Sequence, residues 1–210
     1  MYLSKIILDL RHPSVRQALR DVNDMHRDLM AGFSMNGGKE TPRADMQVLY
    51  RVFEQRDQVY LLVSSAEKPN SEALARRGFR TDGTMIRDIS ALREVFVGGR
   101  TLRFELLASP CRKVSGEGKS RRLFLKEPEE RAAWLRRKGE NGGFEVLSVY
   151  ESSDRIDLLG RRDGADVKNS AVLFSGVLSI TDEDAFWRSY TQGIGPGKAY
   201  GLGMLNVANR

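Results

Sequence analysis

The groups in this chain with chemical potential are two histidines, one cysteine and a glycine-dense ending. His26 has the most useful surroundings. Imidazole titrates near ~6.5, so it takes or gives a proton around neutrality, typically worth ~10² to 10⁴ in rate. It follows Val22 by four residues and precedes Leu29 by three, on the flank of an apolar helical stripe rather than on its solvated back. From there it can face a groove. A helix-edge histidine is equally satisfied by one hydrogen bond and no chemistry, and the residues alone leave both readings open. Asn23 shares that helix face and could donate its amide to a phosphate oxygen. His12, beside Pro13 at a helix start, reads as a solvent-facing boundary residue, and Cys111 beside Pro110 as a small, partly buried filler rather than a nucleophile.

Residues 193–203 read Gly-Ile-Gly-Pro-Gly-Lys-Ala-Tyr-Gly-Leu-Gly. Gln192 stands where a Walker loop needs its first glycine, and Ala199 replaces the magnesium-binding Ser or Thr, which disfavours ATP hydrolysis. No βαβ unit fits in the few residues before Arg210, which disfavours NAD binding. Glycine permits positive φ and close backbone approach. Gly195, Gly197 and Lys198 therefore either present N–H groups and an ammonium to phosphate, or the segment packs tightly on its neighbours.

The chain of 210 residues is long enough for one large domain or two small ones, and 40% hydrophobic residues suffice for a real core. Thirty-four Lys and Arg against 28 Asp and Glu leave a net charge of +6, which favours a polyanionic partner. The candidate phosphate-tracking cations are Arg27, Arg112, Lys113, Lys119, Arg121, Arg122, Arg161 and Arg162; each is also at home on a solvated strand edge. A single cysteine forms no intramolecular disulfide and no multi-cysteine zinc site, and suits a reducing cytoplasm. No signal-peptide cleavage pattern follows the first apolar run and no later run approaches ~18 apolar residues, so secretion and membrane insertion are not expected.

The elements that must position these groups follow from periodicity. Residues 2–9 read as a strand, and Val15 to Phe33 as one amphipathic helix through Ala18, Leu19, Val22, Met25 and Leu29. Strands over 46–54 and 59–65, turning at Gln55 to Gln58, a helix over 71–77 and a strand over 85–89 complete strand, helix, strand, strand, helix, strand. This is the order of a ferredoxin-like α+β domain, here 1–95. A second unit, 96–210, opens with Leu102, Phe104, Leu106 and Ala108 in alternation, then a basic strand or hairpin through Leu123 to Leu125. A helix over 129–138 stops before Gly139, strands cover 144–150, 156–159 and 171–180, and Thr181 to Asp184 begins a helix that reaches about Gln192. A last strand covers 202–208. The second half is thus also ferredoxin-like, with Trp134 and Trp187 in its core.

Gly193-Ile194-Gly195 and Gly201-Leu202-Gly203 resemble the carboxy-terminal signature of CRISPR repeat endoribonucleases, and the Gly-Ile-Gly-Pro-Gly-Lys string resembles the CasE branch of type I-E systems. Matching stretches span nearly the whole chain: Met1 to Lys5, Asp24-Met25-His26-Arg27, Ala108-Ser109-Pro110, Ala132 to Lys138, and Phe174 to Leu178. The resemblance implies two tandem ferredoxin-like (RRM-like) folds and metal-independent, cofactor-free cleavage of precursor RNA at repeat hairpins. It further implies retention of the product RNA within a cytoplasmic Cascade complex, in company with its other subunits. His26 would promote attack of a ribose 2′-OH on the adjacent phosphate, as general acid or base. The family often carries a tyrosine three residues before that histidine, where this chain has Asn23. The departure leaves a second reading, a crRNA-binding Cascade subunit that cuts weakly or not at all.

Overall fold

The computed structural model describes residues 1–33, 47–114, 121–162 and 165–209. The chain divides into two compact units. The first comprises Met1–Leu92 with two later insertions, Leu158–Lys168 and Lys198–Gly201; the second comprises Arg93–Asp157, Asn169–Gly197 and Leu202–Arg210.

The first unit runs β1 (Tyr2–Ile7), α1 (Pro13–Ala18), α2 (Val22–Met30), β2 (Leu49–Gln55), β3 (Gln58–Ser65), α3 (Ser71–Ala75) and β4 (Met85–Asp88). Its four strands lie in the order β2-β3-β1-β4, all antiparallel, with Ser4 opposite both Val63 and Ile86. Alternation along β1 turns Ser4 and Ile6 inward, where Ile6 joins Leu29, Tyr50, Leu61, Val63 and Phe79 in one core. The two residues Arg56 and Asp57 separate β2 from β3.

The apolar spacing from Val15 to Phe33 does not produce one helix. α1 ends at Ala18, and Asp21, extended at φ −134° and ψ 113°, caps a new helix by accepting from the Asn23 N–H at 2.8 Å. Leu19, expected on the core stripe, falls in the break and is 38% exposed. His12 corrects a second expectation. Rather than facing solvent it packs half-buried against Gly78, where a Cβ would lie 2.4 Å from its Cγ, and its Nδ1 is buried with no hydrogen-bond partner among the described residues.

In the second unit a short α4 (Leu92–Val95) lies at the boundary and precedes β5 (Thr101–Ala108), the ribbon β6 (Cys111–Val114) and β7 (Arg121–Phe124), and α5 (Pro128–Asn141). Then come β8 (Phe144–Glu151), β9 (Ile156–Arg162), β10 (Ala165–Ile180), α6 (Glu183–Gln192) and β11 (Leu205–Asn209). The sheet order β11-β5-β10-β8 repeats that of the first unit: the first strand of each set is flanked by the third and fourth, and the second lies beside the third. Each unit is therefore ferredoxin-like, and the α+β fold class stands.

Leu102, Phe104 and Leu106 of β5 face Leu178, Gly176 and Phe174 across the ladder, and Trp134 and Leu135 of α5 and Phe186 and Tyr190 of α6 are buried in the same unit. Phe96 packs edge-on against Phe186 and Tyr190 at centroid separations of 5.0 and 5.1 Å. Trp134 is buried, and Trp187 lies half-buried at the margin of this ring cluster.

α5 does not stop before Gly139. It continues to Asn141 because the glycine admits the Phe144 carbonyl, which would sit 2.5 Å from a Cβ there. Gly143, at φ +75°, then reverses the chain. The last strand begins at Leu205 rather than at 202, since the Gly203 N–H donates to Leu107 and its carbonyl accepts from Ile194. β9 and β10 are longer than their hydrophobic runs suggested and pair as a hairpin. No helix among the described residues is long and apolar enough to cross a membrane.

Candidate active site and nucleic-acid interface

α2 positions His26. Its buried side is set by Met25, Asp28 and Leu29, and at 100° per residue His26 falls between Val22 and Asn23 on the adjoining, half-buried face. The carboxylate of Asp28, 1% exposed, lies 3.3 Å from guanidinium nitrogens of both Arg27 and Arg77, tying α2 to the turn that follows α3. Desolvation works against the charge on Arg27, but Asp24 and Asp28 outweigh it and raise its pKa. With Asp24 at 2.6 Å as well, Arg27 is committed to an intrahelical carboxylate network and its charge is locally neutralised.

Two distant segments of the chain join this helix within the first unit. The first is β9. The Arg161 N–H donates to Asp21 Oδ2 at 2.9 Å, and Asn23 Nδ2 donates to the Arg161 carbonyl at 3.1 Å. Gly160 makes that approach possible: a Cβ there would lie 2.6 Å from Asn23 Nδ2 and 2.9 Å from Val22 Cγ2. The amide expected to reach for phosphate thus already donates to main chain. The second segment is the single 3-10 turn Lys198–Tyr200, which packs on α2 and β2. The buried hydroxyl of Tyr50 donates to the Ala199 carbonyl at 3.0 Å, and Gly201, at φ +78°, packs against the Tyr50 ring.

His26, Asn23, Arg161 and the turn bearing Lys198 are thereby brought to one helix. The remaining cations are elsewhere. Arg112, Lys113, Arg121 and Arg122 are exposed on the two-stranded ribbon of the second unit, with Lys113 directly opposite Arg122. Like charges in register repel across a ribbon. Beside it lies a groove of about 650 Å³ lined by Arg112, Phe124, Lys126 and Arg155 among others. Lys119 lies outside the described residues, and of Arg162 the structure describes only the strand backbone.

Gly195 and Gly197, at φ +82° each, adjoin the side chains of Trp134 and Leu202. Both are packed closely within the second unit, with no room for a side chain. Cys111 is half-buried; burial pushes its thiol up, partly offset by Arg122 and Lys138, and leaves a protonated group at neutrality.

Periodicity and local motifs do not single out Asp21, Gly160, Tyr50, Lys126 or Arg155. One signal was available in the sequence, an Asp-Gly pair at 163–164 of the kind that joins two strands; the pair lies outside the described residues. Nothing local marks Asp21 or Tyr50 as a partner of residues some 140 positions away.

Comparison with known proteins bears on what this arrangement does. A family model described as CRISPR associated protein matches residues 1–209. The chain is 30% identical to the CRISPR-associated endoribonuclease Cse3 of Thermus thermophilus, over 99% of this chain and 100% of that one. It is 31% identical to the CRISPR system Cascade subunit CasE of Escherichia coli K12, over 99% of each. The structure of Thermus thermophilus Cse3 bound to an RNA representing a pre-cleavage complex aligns with a TM-score of 0.80 at 30% identity, covering 99% of this chain and 98% of that one.

Proposed function

Since the chain belongs to the CRISPR-associated protein family, we propose that it is a repeat-processing endoribonuclease of the CasE type, which cuts CRISPR precursor RNA at repeat hairpins and works with other Cascade subunits. The observation that carries the chemistry is the convergence on α2 of His26, the backbone of Arg161 and the turn bearing Lys198. The substrate supplies its own nucleophile. His26 assists as the 2′ oxygen loses its proton, the O2′–P bond forms, and the P–O5′ bond breaks as the leaving oxygen gains a proton. The products are a 2′,3′-cyclic phosphate and a 5′-OH end. Arg161 and Lys198 supply positive charge for the phosphoryl oxygens, and no metal is required to generate the nucleophile.

The ribbon with Arg112, Lys113, Arg121 and Arg122 supports backbone contact with the hairpin stem, because A-form RNA hides its base edges in a deep major groove and is gripped by phosphate geometry. Retention of the cut RNA follows from contacts that cleavage does not remove. A cytoplasmic setting is supported by the single cysteine of a cationic chain, which suits a reducing compartment.

The test is single-turnover cleavage of a cognate hairpin repeat with chelator present. His26→Ala should slow it by about 10² to 10⁴ while leaving RNA affinity near wild type. Loss of wild-type cutting on chelation would overturn the mechanism. A second reading, a binding subunit without catalysis, is favoured by Asn23 standing where the family often has tyrosine; it holds if wild type and His26→Ala bind the hairpin and are equally inert.

A further inference from the structure

Among the first unit's long-range contacts, one has no counterpart in proton-transfer chemistry. Asp21 uses both carboxylate oxygens, Oδ1 capping α2 through the Asn23 N–H and Oδ2 accepting from Arg161 N–H, while Asn23 Nδ2 donates to the carbonyl of that same residue. In a strand the N–H and C=O of one residue point the same way, toward one neighbour. β9 pairs with β10, and two side chains from the N-terminal end of α2 satisfy Arg161 as a further strand would. Two bonds to one residue fix both the position of the strand and its rotation. Gly160 completes the fit, because any side chain there would meet Asn23, Val22 and Asp21. The residue so gripped, Arg161, is exposed, and Asn23, which holds its carbonyl, lies one helical turn before His26.

We propose that Asp21, Asn23 and Gly160 form a main-chain clamp that sets where the charge of Arg161 meets the RNA phosphates, and that Asn23 is a positioning residue acting through Arg161. The inference rests on the endoribonuclease reading and deepens it. It also gives the asparagine at this position a role: its short amide reaches the Arg161 carbonyl from α2, and its contribution is placement of a cation.

The experiment is a double-mutant cycle with an independent binding readout. Arg161→Ala removes the guanidinium and leaves the clamped backbone; Asn23→Ala and Gly160→Ala open the clamp and leave the guanidinium. Single-turnover cleavage of the hairpin by Asn23→Ala should slow roughly three- to tenfold, the size of one hydrogen bond. Gly160→Ala should do the same. In the Arg161→Ala background, Asn23→Ala should cost nothing further. The salt dependence of hairpin binding should lose one phosphate contact, a change of about 0.7 to 0.9 in log–log slope, in each of the three single variants alike.

Multiplying losses in the double variant, or an unchanged salt slope in Asn23→Ala beside slowed cutting, would overturn the clamp and make Asn23 a direct contact of the reacting phosphate. The endoribonuclease reading would survive that outcome, since it stands or falls on wild type against His26→Ala. If wild type does not cut, the salt slopes alone decide the clamp. Should Gly160→Ala fail to fold, the Asn23 and Arg161 pair completes the cycle without it.

Discussion

Gly203→Ala and Gly99→Ala together separate two costs that a glycine in the left-handed region conceals. Both residues lie in the second unit, at φ +84° and +79°. Around Gly99 nothing lies within 4 Å of an added Cβ, so alanine there meets only the backbone penalty of about 1–2 kcal/mol. At Gly203 the Cβ would stand 2.6 Å from the Ile194 carbonyl oxygen and 3.3 Å from Ile194 N, and neither is the movable end of a side chain. Relieving that contact breaks the buried Ile194 N–H to Gly203 carbonyl bond at 2.8 Å, adding about 1–3 kcal/mol. The sum, about 2–5 kcal/mol, is a large fraction of a typical domain's stability. Denaturant unfolding of the full chain, followed by the fluorescence of Trp134 and Trp187, reports this unit. Gly99→Ala should lower the midpoint modestly, and Gly203→Ala clearly further, with similar slopes. Equal costs would refute the steric argument.

Tyr50→Phe keeps the ring against Gly201 and removes the hydroxyl that donates to Ala199, so it should destabilise the first unit by about 0.5–1.5 kcal/mol in denaturant unfolding. It should also speed hydrogen exchange in the Lys198–Tyr200 turn. Cys111, whose thiol is pushed up by burial more than Arg122 and Lys138 pull it down, should alkylate more slowly than a free cysteine at pH 7 and speed up as pH climbs through its raised pKa. The same shift has a stability sign: the unfolded thiol loses its proton first, so the second unit loses stability as pH rises past about 8.5, which unfolding midpoints across alkaline pH would read.

Strand and helix types were legible wherever one face of an element meets a core. Leu102, Phe104, Leu106 and Ala108 alternate because β5 is covered on one side only, and Asp182 announces α6 because an Asx side chain is the cheapest acceptor for a free helical N–H, here from Ala185 at 2.8 Å. The helix of Val15 to Phe33 failed for the same reason read the other way: its apolar spacing spans the break, and only the Asp21 cap, itself visible as a residue type, ends one register and begins another. Gly139 looked like a stop because a glycine's propensity is local, whereas its helical state is decided by the Phe144 carbonyl packed against it.

The candidate site divides along the same line. Residue chemistry singled out His26, and the spacing of Val22, Met25 and Leu29 put it on the rim of a buried face, because helical geometry is a property of neighbours. Which groups stand opposite that rim belonged to the tertiary structure. Arg161 and Ala199 reach α2 and Tyr50 across some 140 residues, through bonds to main-chain atoms that every amino acid possesses and that leave no mark on residue type. The sequence by itself determined what chemistry His26 could perform and that the chain is rich in cations. Only folding decided that Asn23 grips the backbone of Arg161 and that Gly195 and Gly203 pack against Trp134 and Ile194, because each depends on distances between segments that are remote in the chain.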